Sequence, residues 1–196
     1  MSPRAGLDTE TVVEAAAEMV DREGLAALTM AQLAKQLGIR TPSLYNHVDG
    51  LPGLHRALAL RGLRALNEQL TRAAIGKMGS AAVMALADAF RGFIKDHPGL
   101  YAATVESVYL LKTPDEELHI ENNRILDIVL AVLAPYGLTG EDALHAVRGL
   151  RSVVHGFATL ELSGGFGMPL ETDESFRRLV QMLIDSMGRH RQPDAA

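Results

Sequence analysis

The chain has no cysteine and no tryptophan, and aromatic residues make up only 5% of its 196 positions. Without cysteine there is no disulfide framework, no thiolate metal site and no cysteine nucleophile. That composition suits a reducing compartment and sets the expectation of a cytoplasmic protein. Long apolar runs are also missing. The most apolar stretch, residues 125–134, contains Asp127 and falls short of the roughly 18 residues needed to span a bilayer. Residues 1–10 are polar and lack the apolar core of a secretory signal, so no membrane partner is expected. Sustained apolar–polar alternation is absent too, which removes the strand-rich fold classes.

Catalytic signatures are equally scarce. Seven histidines and 24 acidic residues invite a metal or hydrolase reading, but their spacing does not support one. There is no HExxH pair, and no two histidines lie four apart on a helix. Glu117 and Glu121 are one helical turn apart, but His119 falls on another side of that turn. The cluster Gly164-Gly165-Phe166-Gly167 is not followed by GK[ST], and no GxSxG occurs. The expectation is a protein that is not an enzyme, without catalytic residues, metal or cofactor.

What is present is helical periodicity in nearly every segment, in a chain with 47% hydrophobic and 22% charged residues. Asp8 is placed to cap a first helix with Val13, Ala16, Ala17 and Val20 on its inner face. Two short helices follow, and Pro52 then opens a long one reaching about Ile75. A break at 76–79 precedes a helix from Ser80 with Val83, Leu86, Phe90 and Ile94 on one face. His97-Pro98-Gly99 interrupts the chain, and 100–111 continues helical. Thr113-Pro114-Asp115-Glu116 reads as a cap, a first-position proline and a capping-box acid. Thr139 opens a long helix to about Leu162, a glycine-rich loop covers 163–170, and Thr172 caps a last helix before a frayed tail. The architecture is all-α with about nine helices: an N-terminal three-helix domain over residues 1–50, then a connecting helix and a five-helix bundle over 51–196.

The most informative segment is TMAQLAKQLGIRTPSLYNH, residues 29–47. Thr29 with Gln32 has capping-box spacing. Met30, Leu33, Ala34 and Leu37 form an apolar stripe, and Gly38 supplies the left-handed residue that ends a helix. Thr41 precedes Pro42, so it is expected to cap a second helix with Pro42 as its first residue. Burying Leu44 and Val48 on that helix leaves Ser43, Tyr45, Asn46 and His47 near the outside. Hydroxyl, amide and imidazole groups on a short exposed helix can donate to phosphates and to base edges in the major groove.

On these residues, 8–66 resembles the DNA-binding domain of the TetR/AcrR family of one-component transcriptional regulators. The carriers are Glu23-Gly24, the capping Thr29, Ala34 four before Gly38, Leu44-Tyr45 with His47, and the following leucine face of Leu54, Leu58 and Leu66. The resemblance implies that Tyr45 and His47 grip phosphates and that Thr41, Pro42 and Ser43 read bases. It also places Thr29 on a phosphate at its helix start, with Arg40 as an extra contact from the turn and Asn46 beside them. Family members carry a lysine shortly after the histidine, whereas residues 48–53 contain none. The expected substitutes are Arg4, Lys35 and Arg56. Residues 1–56 hold five basic and seven acidic side chains, which argues against indiscriminate nucleic-acid binding. Five of those acids, Asp8 to Asp21, are expected to face solvent on the first helix, away from the reading helix.

The helix from Thr139 has two packing faces, Ala143, Leu144, Val147, Leu150, Val154 and Phe157 on one, and Gly149, Ser152, Val153, Gly156 and Leu160 on the other. A two-faced helix sits inside a bundle or meets a partner chain, and the resemblance implies a homodimer through the last two long helices, on a palindromic double-stranded DNA operator. It further implies a pocket for a small-molecule inducer inside 51–196, suggested by HPGLYAATVES and by YGLTGEDALHAVRGLRSVVHGFATLELSGGFG. Candidate lining residues are Met84, Phe90, Phe93, Tyr101 and Tyr109, with His119, Asn122, Asn123, Arg151 and His155 as polar members. An enclosed Arg151 with His155 suits an anionic or hydrogen-bond-accepting ligand. The resulting expectation is a ligand-responsive repressor. A helical small-molecule or lipid-binding protein without DNA activity is the rival reading, and the Tyr45/His47 helix weighs against it.

Overall fold

A computed structural model of the chain describes residues 7–110 and 115–189, except for the side chains of 108–110 and 189. Nine α-helices and two short 3-10 turns occur among the described residues, with no strand. They are α1 (Thr9–Glu23), α2 (Met30–Leu37), α3 (Thr41–Leu44), α4 (Gly50–Ala74), α5 (Gly79–Asp96), α6 (Pro98–Leu110), α7 (Glu116–Leu133), α8 (Gly140–Leu162) and α9 (Thr172–Arg189). The all-α expectation holds. No helix of the described residues is long and apolar enough to cross a membrane.

Local chemistry sets most helix ends. Asp8 caps α1 by accepting from the Thr11 N–H at 2.8 Å. Gly38, at φ 66°, ends α2, and the Ile39 N–H closes back onto the Ala34 carbonyl at 3.0 Å. Several starts differ from the sequence expectation. Thr41 lies inside α3 rather than capping it, because the Arg40 carbonyl already accepts from the Ser43 N–H at 2.9 Å and Arg40 takes the cap position. The preference of a pre-proline residue for extended backbone is weak enough for this turn to override it. Thr172 is likewise the first residue of α9, not its cap, since the Ser175 N–H reaches the Glu171 carbonyl at 3.1 Å. The long helix α4 starts at Gly50, two residues before Pro52, which the first turn accommodates because it needs no donor there. Thr113 and Pro114 lie outside the described residues; α7 begins at Glu116, with Asp115 accepting from the Leu118 N–H at 3.1 Å.

Packing divides the chain into two compact units. The first runs through residue 65 and takes in Asp96–Glu121; the second combines Leu66–Lys95 with the described chain from Asn122 onward. In the first unit, α1 to α3 and the start of α4 share one core with α6: Val12, Ala16, Leu33, Leu44 and Leu54 are fully buried or nearly so beside Leu100 and Ala103. The approach of α6 to α1 is close. A Cβ on Gly99 would stand 2.2 Å from the Val20 carbonyl carbon and oxygen, so only glycine fits there. Asp21 holds the same junction, its carboxylate accepting from the Gly99 and Leu100 N–H groups at 2.9 Å each and pairing with His97 Nδ1 at 2.9 Å. The expectation that Asp21 faces solvent is therefore corrected: it does for the start of α6 what a local cap would do.

In the second unit, α8 packs on α9, and the core includes Phe93, Leu86, Leu150, Val154 and Phe176. Arg91 is 7% exposed there. It donates to both Glu161 oxygens at 2.8 and 2.6 Å and pairs with Asp173 at 2.8 Å. Its guanidinium carbon lies 4.8 Å from the Phe176 ring centroid and 5.3 Å from that of Phe157. Lys95 adds a second cation to Glu161 at 3.0 Å, and these partners hold the Glu161 carboxyl down at about 2. A buried guanidinium is tolerated because its donors are matched by carboxylates and its faces by rings.

Candidate nucleic-acid interface

The reading segment is built by two helices with different tasks. The Thr29 hydroxyl accepts from the Gln32 N–H at 3.1 Å and donates to Gln32 Oε1 at 2.8 Å, which fixes the start of α2. Met30, Leu33 and Ala34 are buried, as the stripe predicts. The outer side of α2 is tied to α1 by Gln36, whose amide donates to the Ala15 carbonyl at 3.2 Å, and by Arg22, which reaches Gln36 Oε1 at 3.3 Å. Thus α2 is a mount, held on both sides.

On that mount α3 presents the polar cluster. Leu44 is 0% exposed and Val48 is buried, whereas Tyr45 is 59% exposed. Pro42 and Asn46 are exposed with it, as is Arg40 in the preceding turn. Thr41, Ser43 and His47 are half-buried. The chain after Leu44 stays wound, since the His47 and Val48 N–H groups both return to the Leu44 carbonyl at 2.9 and 3.0 Å. The Thr9 hydroxyl then donates to the His47 carbonyl at 3.2 Å, anchoring this end of the cluster on the first turn of α1. Two buried anchors therefore fix the orientation of an exposed Tyr45 and Asn46 and a half-buried His47. The first turn of α1 is beside His47, so the expectation that all its acids point away from the reading helix is corrected for Asp8. The Thr11 N–H holds the Asp8 carboxyl below its ordinary value, and His47 adds a smaller contribution.

The cations expected to replace the missing lysine fare differently. Arg4 lies outside the described residues. Lys35 is exposed on α2. Arg56 is committed elsewhere: it pairs with Asp115 through two nitrogens and donates to Glu117 at 2.9 Å. That pairing holds both carboxyls below the usual range. Arg64 joins the same network through Glu117 and Glu121. The expectation of Arg56 as a phosphate contact is corrected on this ground. Nothing in the local sequence announces the pairing, because Asp115 is 59 residues away.

The expected ligand residues are not gathered into one unit. Phe90 and Phe93 are buried in the second unit, where Asn122 and His155 are half-buried. Tyr101 is buried and His119 exposed in the first. Arg151 is exposed on this chain rather than enclosed with His155. The Tyr109 side chain lies outside the described residues.

A short polar helix pinned over a capped partner helix is a helix-turn-helix reading head, and its donors suit duplex DNA. Comparison with known proteins agrees. The family described as "Bacterial regulatory proteins, tetR family" matches residues 12–47. The one described as "Tetracyclin repressor-like, C-terminal domain" matches 83–183. The uncharacterized HTH-type transcriptional regulator YobS of Bacillus subtilis (strain 168) is 40% identical over 188 residues, 95% of this chain and 96% of its own. The uncharacterized HTH-type transcriptional regulator Rv0681 of Mycobacterium tuberculosis is 38% identical over 185 residues, 94% of this chain and 84% of its own. The solved structure of BioQ with its natural double-stranded DNA operator has the same fold, with a TM-score of 0.68 at 23% identity over 94% of this chain and 100% of that one. The chain belongs to the tetR family of bacterial regulatory proteins, and it is a DNA-binding transcriptional regulator.

Proposed function

We propose that this regulator represses transcription by sitting on a palindromic operator as a homodimer, and that a small molecule held by its C-terminal helices releases it. In this division of labour residues 1–50 read DNA, and 51–196 sense the ligand and form the dimer. The carrying observation is the Tyr45–Asn46–His47 surface, fixed from behind by buried Leu44 and Val48. Tyr45 and His47 hold phosphates, Thr41, Pro42 and Ser43 face base edges, and Arg40 and Asn46 flank them. The Thr29 hydroxyl is already bonded to Gln32 in both directions, so a phosphate at the start of α2 meets the helix's first backbone N–H groups as well.

Dimerisation through α8 and α9 is supported by apolar residues left uncovered on them. Leu144, Leu160 and Met182 are 43%, 51% and 60% exposed, and Ser152 and Gly156 add small residues to α8, whereas Gly149 already faces Leu183 of α9. Two reading heads on one duplex exclude polymerase from it, which is repression by occupancy, and the Tetracyclin repressor-like match over 83–183 supports that sign. A ligand in the bundle shifts DNA affinity only by its preference for one state, typically about 1–3 kcal/mol. The working compartment is the cytoplasm, where the DNA is. Hydroxyl-radical footprinting of the DNA upstream of the protein's own gene tests the reading: two protected half-sites related by a dyad and about one helical turn or a multiple apart are expected. A single asymmetric footprint would count against the dimeric reading head.

A further inference from the structure

The segment that presents the polar cluster cannot hold itself in place. The helix α3 is four residues long, and residues 45–49 run through turns and bends before α4 begins at Gly50. A helix this short has too few bonds of its own to be stable, so the attitude of His47 is set by what it is tied to. Its N–H returns to the Leu44 carbonyl at 2.9 Å. Its carbonyl receives the Thr9 hydroxyl at 3.2 Å, from 38 positions earlier in the chain. Peptide units are planar, so fixing the unit on each side of a residue fixes φ and ψ, and with them the direction of its Cα–Cβ bond. Only the side-chain torsions of the imidazole then remain. Among the described residues no other side-chain hydrogen bond joins 40–49 to another part of the fold. A threonine at the start of a helix commonly spends its oxygen on the cap. Here Asp8 does that work, accepting from the Thr11 N–H at 2.8 Å, so the Thr9 hydroxyl is available and the turn that carries it is fixed.

We propose that Thr9 is a positioning residue for DNA reading: it holds the His47 backbone so that the imidazole meets its phosphate already oriented, without touching DNA itself. The inference rests on the phosphate role given to His47 above. A side chain ordered before binding does not have to be ordered by it, so this orientation appears as affinity. Thr9 stands outside residues 12–47 that match the family, and it acts on their far end.

Full-length wild type, Thr9→Val, Thr9→Ser, His47→Ala and the double variant Thr9→Val/His47→Ala are compared by fluorescence anisotropy on the operator fragment protected in the footprint. Valine keeps the shape of threonine without the hydroxyl, and position 9 is exposed, so the melting point should move by no more than about 3 °C. His47→Ala should weaken binding at least about tenfold and Thr9→Val about three- to tenfold, with Thr9→Ser within about twofold of wild type. Adding Thr9→Val to His47→Ala should cost less than about twofold more, because nothing is left to position. Without DNA, amide hydrogen exchange at Val48, in the same peptide unit as the His47 carbonyl, should quicken in Thr9→Val. Wild-type binding by Thr9→Val while His47→Ala is weakened would overturn this inference alone. So would unchanged exchange at Val48, or full additivity in the double variant, which would mean that Thr9 meets DNA directly. Wild-type binding by His47→Ala would instead remove the phosphate role of His47, and this inference with it.

Discussion

Replacing Asp21 with alanine isolates the contact on which α6 is seated. In the first turn of α6 the residues after His97 are Pro98, Gly99 and Leu100, and it is the second and third N–H groups that a capping side chain normally satisfies. Here Asp21, 78 residues before Gly99, accepts from both at 2.9 Å. A lost cap costs about 0.5–2 kcal/mol, and a part-buried donor left without its charged acceptor costs about 1–3 kcal/mol. These overlap, so Asp21→Ala should destabilise the chain by about 2–3 kcal/mol. At 2–4 °C per kcal/mol for a chain of this size, the melting point falls by roughly 5–10 °C. Asp21→Asn keeps one acceptor oxygen and should lose about half as much. Urea unfolding followed by far-UV circular dichroism measures both variants. A loss below about 0.5 kcal/mol for Asp21→Ala would mean that water satisfies these groups equally well and that the cap is not what holds α6 to α1.

Three further outcomes follow from the same geometry. Gly99→Ala puts a methyl group 2.2 Å from the Val20 backbone, so it should cost about 3 kcal/mol or more by thermal melt; a neutral effect would show that α1 and α6 are less closely seated. Glu161 falls from 4.5 to about 2 on folding, so its stabilisation is complete above the unfolded value and is lost as pH drops from about 4.5 towards 2. Wild type should lose about 1–2 kcal/mol more than Glu161→Gln between pH 5 and 3, and equal losses in parallel urea titrations would refute the pairing with Arg91. On DNA, Lys35→Ala should reduce the salt slope by about one unit and Arg56→Ala should leave it unchanged; the reverse order would show that Arg56 abandons Asp115 for phosphate.

The features legible in the sequence are those set by neighbours in the chain. Asp8, Thr29 and Gly38 each act within four or five residues, and helix ends read from them match the structure. The stripe Met30, Leu33, Ala34 and the anchors Leu44 and Val48 are equally local, so the outward side of Tyr45 and Asn46, with His47 half-buried beside them, could be placed before any fold was known. Thr41 slipped by one position because a pre-proline preference of modest size competes with a backbone turn. The unread features join distant residues. Arg91 and Glu161 are 70 apart, and Arg56 and Asp115 are 59 apart. A charged residue looks solvated in sequence until its partner is known, and the same holds for Asp21.

Fluorescence anisotropy on labelled DNA from upstream of the protein's own gene, comparing wild type with Tyr45→Ala across a salt series, tests the reading head most directly. Tyr45 is 59% exposed and supports no core, so its removal should leave the melting point within about 1 °C while weakening binding at least tenfold. Saturable wild-type binding with that loss is the predicted result. Equal binding by the two proteins, or no wild-type binding at low salt to this DNA or to a palindrome library, would contradict the account.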